Sequence, residues 1–333
     1  MPIHDLGYRS WDAPPQTTRL RWLVIGKAGI RNAWKNKWLG RSIILLLLPF
    51  VFFGAVIFFY EQGVEGGYNR EELIDPISVL GWFRGGTGML ADVVNNDLGS
   101  VRHEVWSFLI FAFFGYPQGV GMILIVGLIA PRLIAQDVRS RAFLLYFSRP
   151  LTPGEYVLGK AMTIGFFLAM ITTIPALVLY LFGIALSPGL SVVFDTYDLP
   201  VRIILASLVL IIPTTSLALC FSSLTSESRY AGINWFATWI LGWVFFTVMR
   251  VVLLQEATIP EQELYQLTSQ TQTALASHWT LMSLYHTLRE VQVWVFGLQP
   301  DFSKVLPSLF LLLAITVMSW SILMRRVTAP LRQ

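Results

Sequence analysis

Residues 43–48 read Ile43-Ile44-Leu45-Leu46-Leu47-Leu48, apolar at every position, inside a longer apolar run from Ser42 to Tyr60. Strands of a closed membrane barrel alternate apolar and polar residues in segments of about ten, so an unbroken run of this kind reads as a helix. About 20 such residues cross the hydrocarbon core of a bilayer. Comparable runs follow at Trp106 to Ala130, Ala161 to Leu186, Ile203 to Phe221, Ile233 to Leu254 and Val305 to Met324. The sequence therefore predicts an all-α polytopic membrane protein with six transmembrane helices.

Composition points the same way. Of the 333 residues, 55% are hydrophobic and only 13% charged, against about 25% charged in a soluble domain. That is too little charge to coat a water-facing globule, which excludes an ordinary cytosolic enzyme. Disordered, collagen-like and disulfide-rich classes are excluded too, because the single cysteine, Cys220, has no partner and sits in an apolar run. A net charge of +4 would also fit a nucleic-acid binder, so the distribution of charge has to decide.

Lys and Arg collect on the cytoplasmic side of membrane proteins. Before the first run stand Arg9, Arg19, Arg21, Lys27, Arg31, Lys35, Lys37 and Arg41 against Asp5 and Asp12. The segment Glu61 to Val105 is acidic, Pro131 to Lys160 is basic, Gln255 to Lys304 is acidic again, and the tail carries Arg325, Arg326 and Arg332. An even number of spans with both termini cytoplasmic satisfies every long loop, and no nucleic-acid partner is expected. The expected organisation is a cytoplasmic N-terminus at 1–41 with an interfacial helix, a six-helix transmembrane domain at 42–324, extracytoplasmic segments at 61–105 and 255–304, and a cytoplasmic tail at 325–333. The first span lacks the flanks of a cleavable signal peptide and is expected to be retained.

Within these six cores the only Asp, Glu, Lys, Arg or His is Arg250, which near a span end is expected to snorkel to the headgroups. A proton- or sodium-coupled transporter usually needs intramembrane carboxylates, histidines or unwound helices. Their absence points to energy supplied mechanically by a soluble motor. Gly115, Pro117, Gly119, Gly121 and Gly127 in the second span, Pro175 in the third and Pro213 in the fourth fit helices that bend, pack closely at small residues, or both.

The most informative stretch is 127–160, GLIAPRLIAQDVRSRAFLLYFSRPLTPGEYVLGK. Pro131 is expected to end the second span. Arg132 to about Phe147 reads as a short interfacial helix, with Ile134, Val138, Ala142 and Leu145 on one face and Asp137 and Arg141 in the favourable acid-first spacing. Ser148 to Pro153 breaks it. On charge alone, these residues need only hold the loop in the cytoplasm.

At these residues the chain resembles the integral membrane permease subunits of ABC-2 type ABC exporters. Their pattern resembles L-x-x-S-R-P-L-[ST]-x-x-[ED]-Y-[VL]-[LI]-G-K after an acidic residue. Here it falls on Asp137, then Leu144, Tyr146, Ser148, Arg149, Pro150, Leu151, Thr152, Glu155, Tyr156, Gly159 and Lys160. Many members carry Gly-Thr where this chain has Arg141-Ala142-Phe143. The resemblance implies a coupling helix that docks in a cleft of a separate ATP-binding subunit, through Arg132, Asp137, Arg139, Arg141, Tyr146, Ser148, Arg149, Pro150 and Glu155. It implies no catalytic, cofactor or metal residue here, ATP and magnesium being held by the partner. A second permease copy or a related permease would complete the pathway in a prokaryotic plasma membrane.

Several motifs come close to other chemistries. Gly154 to Ala161 nearly matches the phosphate loop G-x-x-x-x-G-K-[ST], but Ala161 lacks the hydroxyl for magnesium and no strand precedes it. Arg19 to Trp38 interleaves basic residues with Trp22, Trp34 and Trp38, which before a span reads as an interfacial elbow helix rather than a nucleic-acid surface. Leu264, Leu267, Thr271, Ala274, His278, Leu281, Tyr285 and Leu288 form a heptad-like row, predicting an extracellular packing helix. His278, Met282 and His286 on it could hold a soft metal, but a row of three spans two helical turns, long for one ion, and packing is the expected role. No hydrolase constellation is identifiable.

Without the resemblance, a motor-independent scaffold or passive channel shares this topology, and a secondary transporter is the third reading. The cargo is not legible. Spans nearly free of charge fit lipid-like, drug-like or peptide substrates, and Thr214, Thr215, Ser216, Ser222 and Ser223 could line a path.

Overall fold

A computed structural model of the chain describes residues 20–66, 99–142, 151–187, 189, 191–256 and 279–329. The described residues are helical wherever they are regular, and six of the helices are long and apolar enough to cross a membrane. They span Lys37–Val64, Arg102–Arg139, Pro153–Leu186, Leu199–Leu224, Ser228–Met249 and Phe302–Thr328. Helix α1 is Arg21–Trp34. The first span joins α2, Lys37–Leu46, to α3, Leu48–Val64. The second joins α4, Arg102–Tyr116, through a π-helical turn at Pro117–Gly121 to α5, Met122–Leu133, and α6, Ala135–Arg139. The third comprises α7, Pro153–Ile171, and α8, Thr173–Leu186. Then come α9, Leu199–Leu224, α10, Ser228–Glu256, a short α11, Leu284–Val295, and α12, Phe302–Thr328.

Successive spans alternate in direction, so the bundle has an end marked by Glu61 and an end marked by Arg139. The second and fourth spans are central, 67% and 61% buried inside the chain, whereas the fifth and sixth are 17% and 22% buried and peripheral. Near Glu61 the core is aromatic. Phe53 meets Phe113 edge to face at 5.8 Å, Phe114 meets Phe296 at 5.8 Å, and Trp106 meets Tyr180 at 5.9 Å. Near Arg139 it is mostly aliphatic, built on Ile125, Val126, Leu168, Leu210 and Leu219 with Tyr156, Phe167, Trp235 and Trp239 set among them.

The helices are longer than the apolar runs and carry ionisable residues just beyond them. Helix α3 continues past Tyr60 and carries Glu61, which is fully buried. Arg102 donates to Glu61 Oε2 at 3.2 Å, Ser187 Oγ to the same atom at 3.3 Å, and Trp106 Nε1 to Oε1 at 3.0 Å. An opposing charge and two neutral donors make burial of the carboxylate tolerable. Beside it, Asp198 accepts from His103 Nε2 at 2.9 Å and Arg202 Nε at 2.5 Å, tying α4 to the start of α9.

Pro131 does not end the second span. The helix runs on to Leu133 and breaks at Ile134, because Ser222 of α9 takes over the backbone bonds lost there. Ser222 Oγ accepts from the N–H groups of Ile134 and Ala135, both at 3.1 Å, and donates to the Pro131 carbonyl at 3.3 Å. Ser222 is therefore a brace. The third span breaks at Thr172, ahead of Pro175, with Thr172 Oγ1 donating to the Leu168 carbonyl at 2.8 Å. Pro213 leaves α9 continuous.

The heptad-like row does not form one extracellular helix. Residues through His278 lie outside the described residues, Leu281 sits in a 3₁₀ turn at Thr280–Met282, and α11 starts only at Leu284. Helix α11 enters the bundle, with Leu288, Val291 and Gln292 buried. Gln292 Nε2 donates to the Ala206 carbonyl at 3.2 Å, and Arg289 to the Phe111 carbonyl at 3.0 Å with its guanidinium 3.8 Å from the Phe111 ring centroid. His286 stacks on Phe246 at 3.6 Å, about two-thirds of the way along α10. Met282 and His286 thus stand on different elements, and the described residues contain no group of three His, Cys, Asp or Glu able to hold a metal. The side chain of Arg250 lies outside the described ones.

Helix α1 crosses α7 at close range because both present small residues. A Cβ on Gly159 would fall 2.8 Å from the Trp22 carbonyl oxygen and 2.7 Å from Ile25 Cβ. One on Gly26 would fall 2.5 Å from Met162 Sδ. Gly159→Ala is expected to cost about 1–3 kcal/mol by overpacking. Gly40→Ala, in a helix with nothing within 4 Å, should be neutral or stabilise by about 0.4–1 kcal/mol through loss of unfolded-state entropy. Melting of the two variants in mild detergent checks this; equal melting temperatures would rule out the close crossing.

Candidate functional site

At the Arg139 end, the segment linking the second and third spans is held by its own sequence. Thr152 caps α7. Its Oγ1 accepts from the Glu155 N–H at 3.2 Å, while Glu155 Oε2 accepts from the Thr152 N–H at 2.9 Å and Oγ1 at 3.0 Å. This is a capping box with Pro153 at the first helical position, where its missing N–H costs nothing. The carboxylate of Glu155 is committed to that cap.

Residues 154–161 lie on α7. Gly154 to Ala161 thus form the first turns of a helix rather than a loop, with the Glu155 N–H bonded to Thr152 Oγ1 and the Tyr156 N–H to the Thr152 carbonyl. Tyr156 and Lys160, four apart, share one face and meet Asp137 across the segment. Tyr156 Oη donates to Asp137 Oδ2 at 2.7 Å, and Lys160 Nζ lies 2.7 Å from the same oxygen. Lys160 Nζ also donates to the Leu133 carbonyl at 2.7 Å, serving the helix end left by the break at Ile134. The side chains of Asp137 and Lys160 are only 15% and 11% exposed. Asp137 thus faces inward, locking the end of the second span to the start of the third.

The arginines face outward. Arg132 and Arg141 are exposed, and Arg139 meets Glu227 at 3.4 Å in a solvent-facing pair. Arg141 adopts φ of 52°, which turns the chain sharply after α6. The predicted helix from Arg132 to Phe147 is therefore, among the described residues, the five-residue α6 and a turn. Tyr146, Ser148, Arg149 and Pro150 lie outside the described residues.

Tyr156, Gly159 and Lys160 belong to this site although sequence reasoning did not count them among its residues. The available signal is their spacing of three and four on one helix face, following an isolated acid at Asp137. Thr214, Thr215, Ser216, Ser222 and Ser223 are all buried inside the chain. Ser216 and Ser223 donate to the carbonyls of Pro213 and Cys220, at 3.0 Å and 2.7 Å.

The lock is testable by a double-mutant cycle. Asp137→Asn and Lys160→Met should each cost about 1–3 kcal/mol, and the double variant should cost less than the sum by roughly 1–3 kcal/mol. Thermal unfolding in detergent measures this, and strict additivity would mean the pair contributes no coupling.

Comparison with curated proteins finds no match. The sequence model of the family described as "ABC-2 family transporter protein" matches residues 89–326, from ahead of α4 to near the end of α12. That match takes in the second to sixth spans, the Asp137 lock, the arginines beside it and the Ser222 brace. With six apolar helices of spanning length and a match over more than half its length, the chain belongs to the ABC-2 family of transporter membrane proteins.

Proposed function

We propose that this chain is the permease subunit of an ATP-driven exporter, embedded in a prokaryotic plasma membrane with its Arg139 end cytoplasmic. Members of the family carry no ATPase domain themselves, which implies a separate ATP-binding partner holding ATP and magnesium. The observation that carries the reading is the Asp137–Tyr156–Lys160 lock, which lies directly under the exposed Arg132, Arg139 and Arg141. A force applied to that short segment reaches the second and third spans together, because both are bonded to it. The segment is thus the coupling element, and Arg139, Arg141 and Arg149 are its contacts with the motor.

Helix α1 serves as the elbow at the membrane surface. Its close crossing with the first turns of α7 gives it a hold on the span that the motor moves. Residues 1–41 and 325–333 are then cytoplasmic, and 61–105 and 255–304 face outward, with α11 sunk back into the bundle. The peripheral fifth and sixth spans expose Leu241, Phe310, Val317 and Met318, an apolar surface suited to lipid and to a second copy or a related permease.

A mild-detergent pull-down from native membranes, with mass spectrometry and an ATPase assay on the eluate, tests the reading. An ATP-binding subunit should co-purify. Reversing Arg139, Arg141 and Arg149 to Glu should weaken its retention about tenfold or more, as expected for opposed charge at an interface. Recovery of a stable chain alone, without ATPase activity, would instead establish a motor-independent scaffold or channel.

A further inference from the structure

A cleft of about 1250 Å³ opens at the Arg139 end, between the α1–α2 corner and the ends of α5, α6 and α10. One part of its wall is polar, with Lys35, Asn36, Arg132, Gln136, Ser226 and Ser228. The other part is apolar, with Val24, Leu39, Leu128 and Ile129. Leu39 and Ile129 belong to the aliphatic core of the bundle, so the apolar wall runs on into the membrane-spanning region.

The charges of the cleft are unbalanced. Asp137 is held by Lys160, and Arg139 by Glu227. Lys35 and Arg132 are exposed and have no acidic partner among the described residues. The cleft thus presents two unmatched cations with amide and hydroxyl groups around them, and no free carboxylate to receive an ammonium group. Its depth is marked by Trp34 and Trp38, which flank the Lys35–Asn36 corner and are 52% and 69% exposed. Tryptophan rings in that setting sit at the headgroup level of a bilayer.

We propose that this cleft binds one anionic phospholipid, its phosphate held by Lys35 and Arg132 and the upper part of an acyl chain laid against Leu39, Leu128 and Ile129. Basic pockets between spanning helices are suited to acidic headgroups, and here the one carboxylate on the wall is already neutralised. A zwitterionic headgroup would bring an ammonium toward unmatched cations. A free phosphate would use the polar wall and leave the apolar one empty. The bound lipid would join the elbow corner to the end of the second span, whether or not an ATPase docks nearby.

The test is native mass spectrometry of the delipidated full chain titrated with phosphatidylglycerol, phosphatidylcholine or glycerol 3-phosphate. One phosphatidylglycerol per chain should bind roughly tenfold more tightly than phosphatidylcholine, from about one favourable contact per cation. The double variant Lys35→Gln, Arg132→Gln should lose that preference. Lys35→Arg, Arg132→Lys should keep it, and Arg325→Gln, an exposed cation outside the cleft, should not affect it. Both target residues are exposed, so the variants should melt like the parent chain. Equal binding of the two lipids, or equal loss in the Arg325 variant, would overturn the proposal. So would glycerol 3-phosphate binding as tightly as the lipid, or expulsion of the lipid by an ATP-binding chain in the purified complex.

Discussion

A backbone N–H or C=O in hydrocarbon has no water to bond, and leaving one unmet costs several kcal/mol. The whole fold follows from that constraint. Each span is a helix, and where the second span gives way after Pro131, side chains of neighbouring elements take over the lost bonds. Ser222 does so at the Pro131–Ala135 break, and Lys160 at the Leu133 carbonyl. At Pro117 the second span loosens into one π-helical turn.

Charge obeys a related rule. Where an ionised group enters the bundle it meets an opposite charge or a set of dipoles, as Glu61 does with Arg102, Trp106 and Ser187. At the other end Asp137 meets Lys160 and Tyr156. These pairs tie neighbouring spans where the chain leaves the bundle, so they hold the relative positions of helices that have no hydrophobic drive to associate within lipid. What stays exposed at the Arg139 end is almost wholly cationic, which gives that end its distinct surface.

The pattern shared with ABC-2 permeases acquires a physical meaning in this light. Thr152 and Glu155 are a helix cap, Tyr156 and Lys160 are the partners of Asp137, and Gly159 is the gap that admits the Trp22 carbonyl and Ile25. Much of the motif builds the junction. Arg132 and Arg141 beside it stay exposed.

The existence and number of the spanning helices are legible in the sequence, because hydrophobicity is a local property that adds along the chain and about 20 apolar residues suffice to reveal it. So is the asymmetry of charge between loops. The ends of the helices are not legible, since Glu61, Arg102 and Lys160 look like solvent residues until their partners are placed. Helix α11 is obscured for the same reason: Arg289, Glu290 and Gln292 mark a surface helix in one dimension, and only Phe111, Ser308 and Ala206 make its burial tolerable. Pro131 reads as a stop, yet the helix runs on to Leu133, and Ser222, far along the chain, meets the backbone groups at the break that follows. The sequence by itself determined which segments belong in the membrane. Which charged and polar groups can go there with them was decided by tertiary structure, because that depends on partners distant in the chain and adjacent only in space.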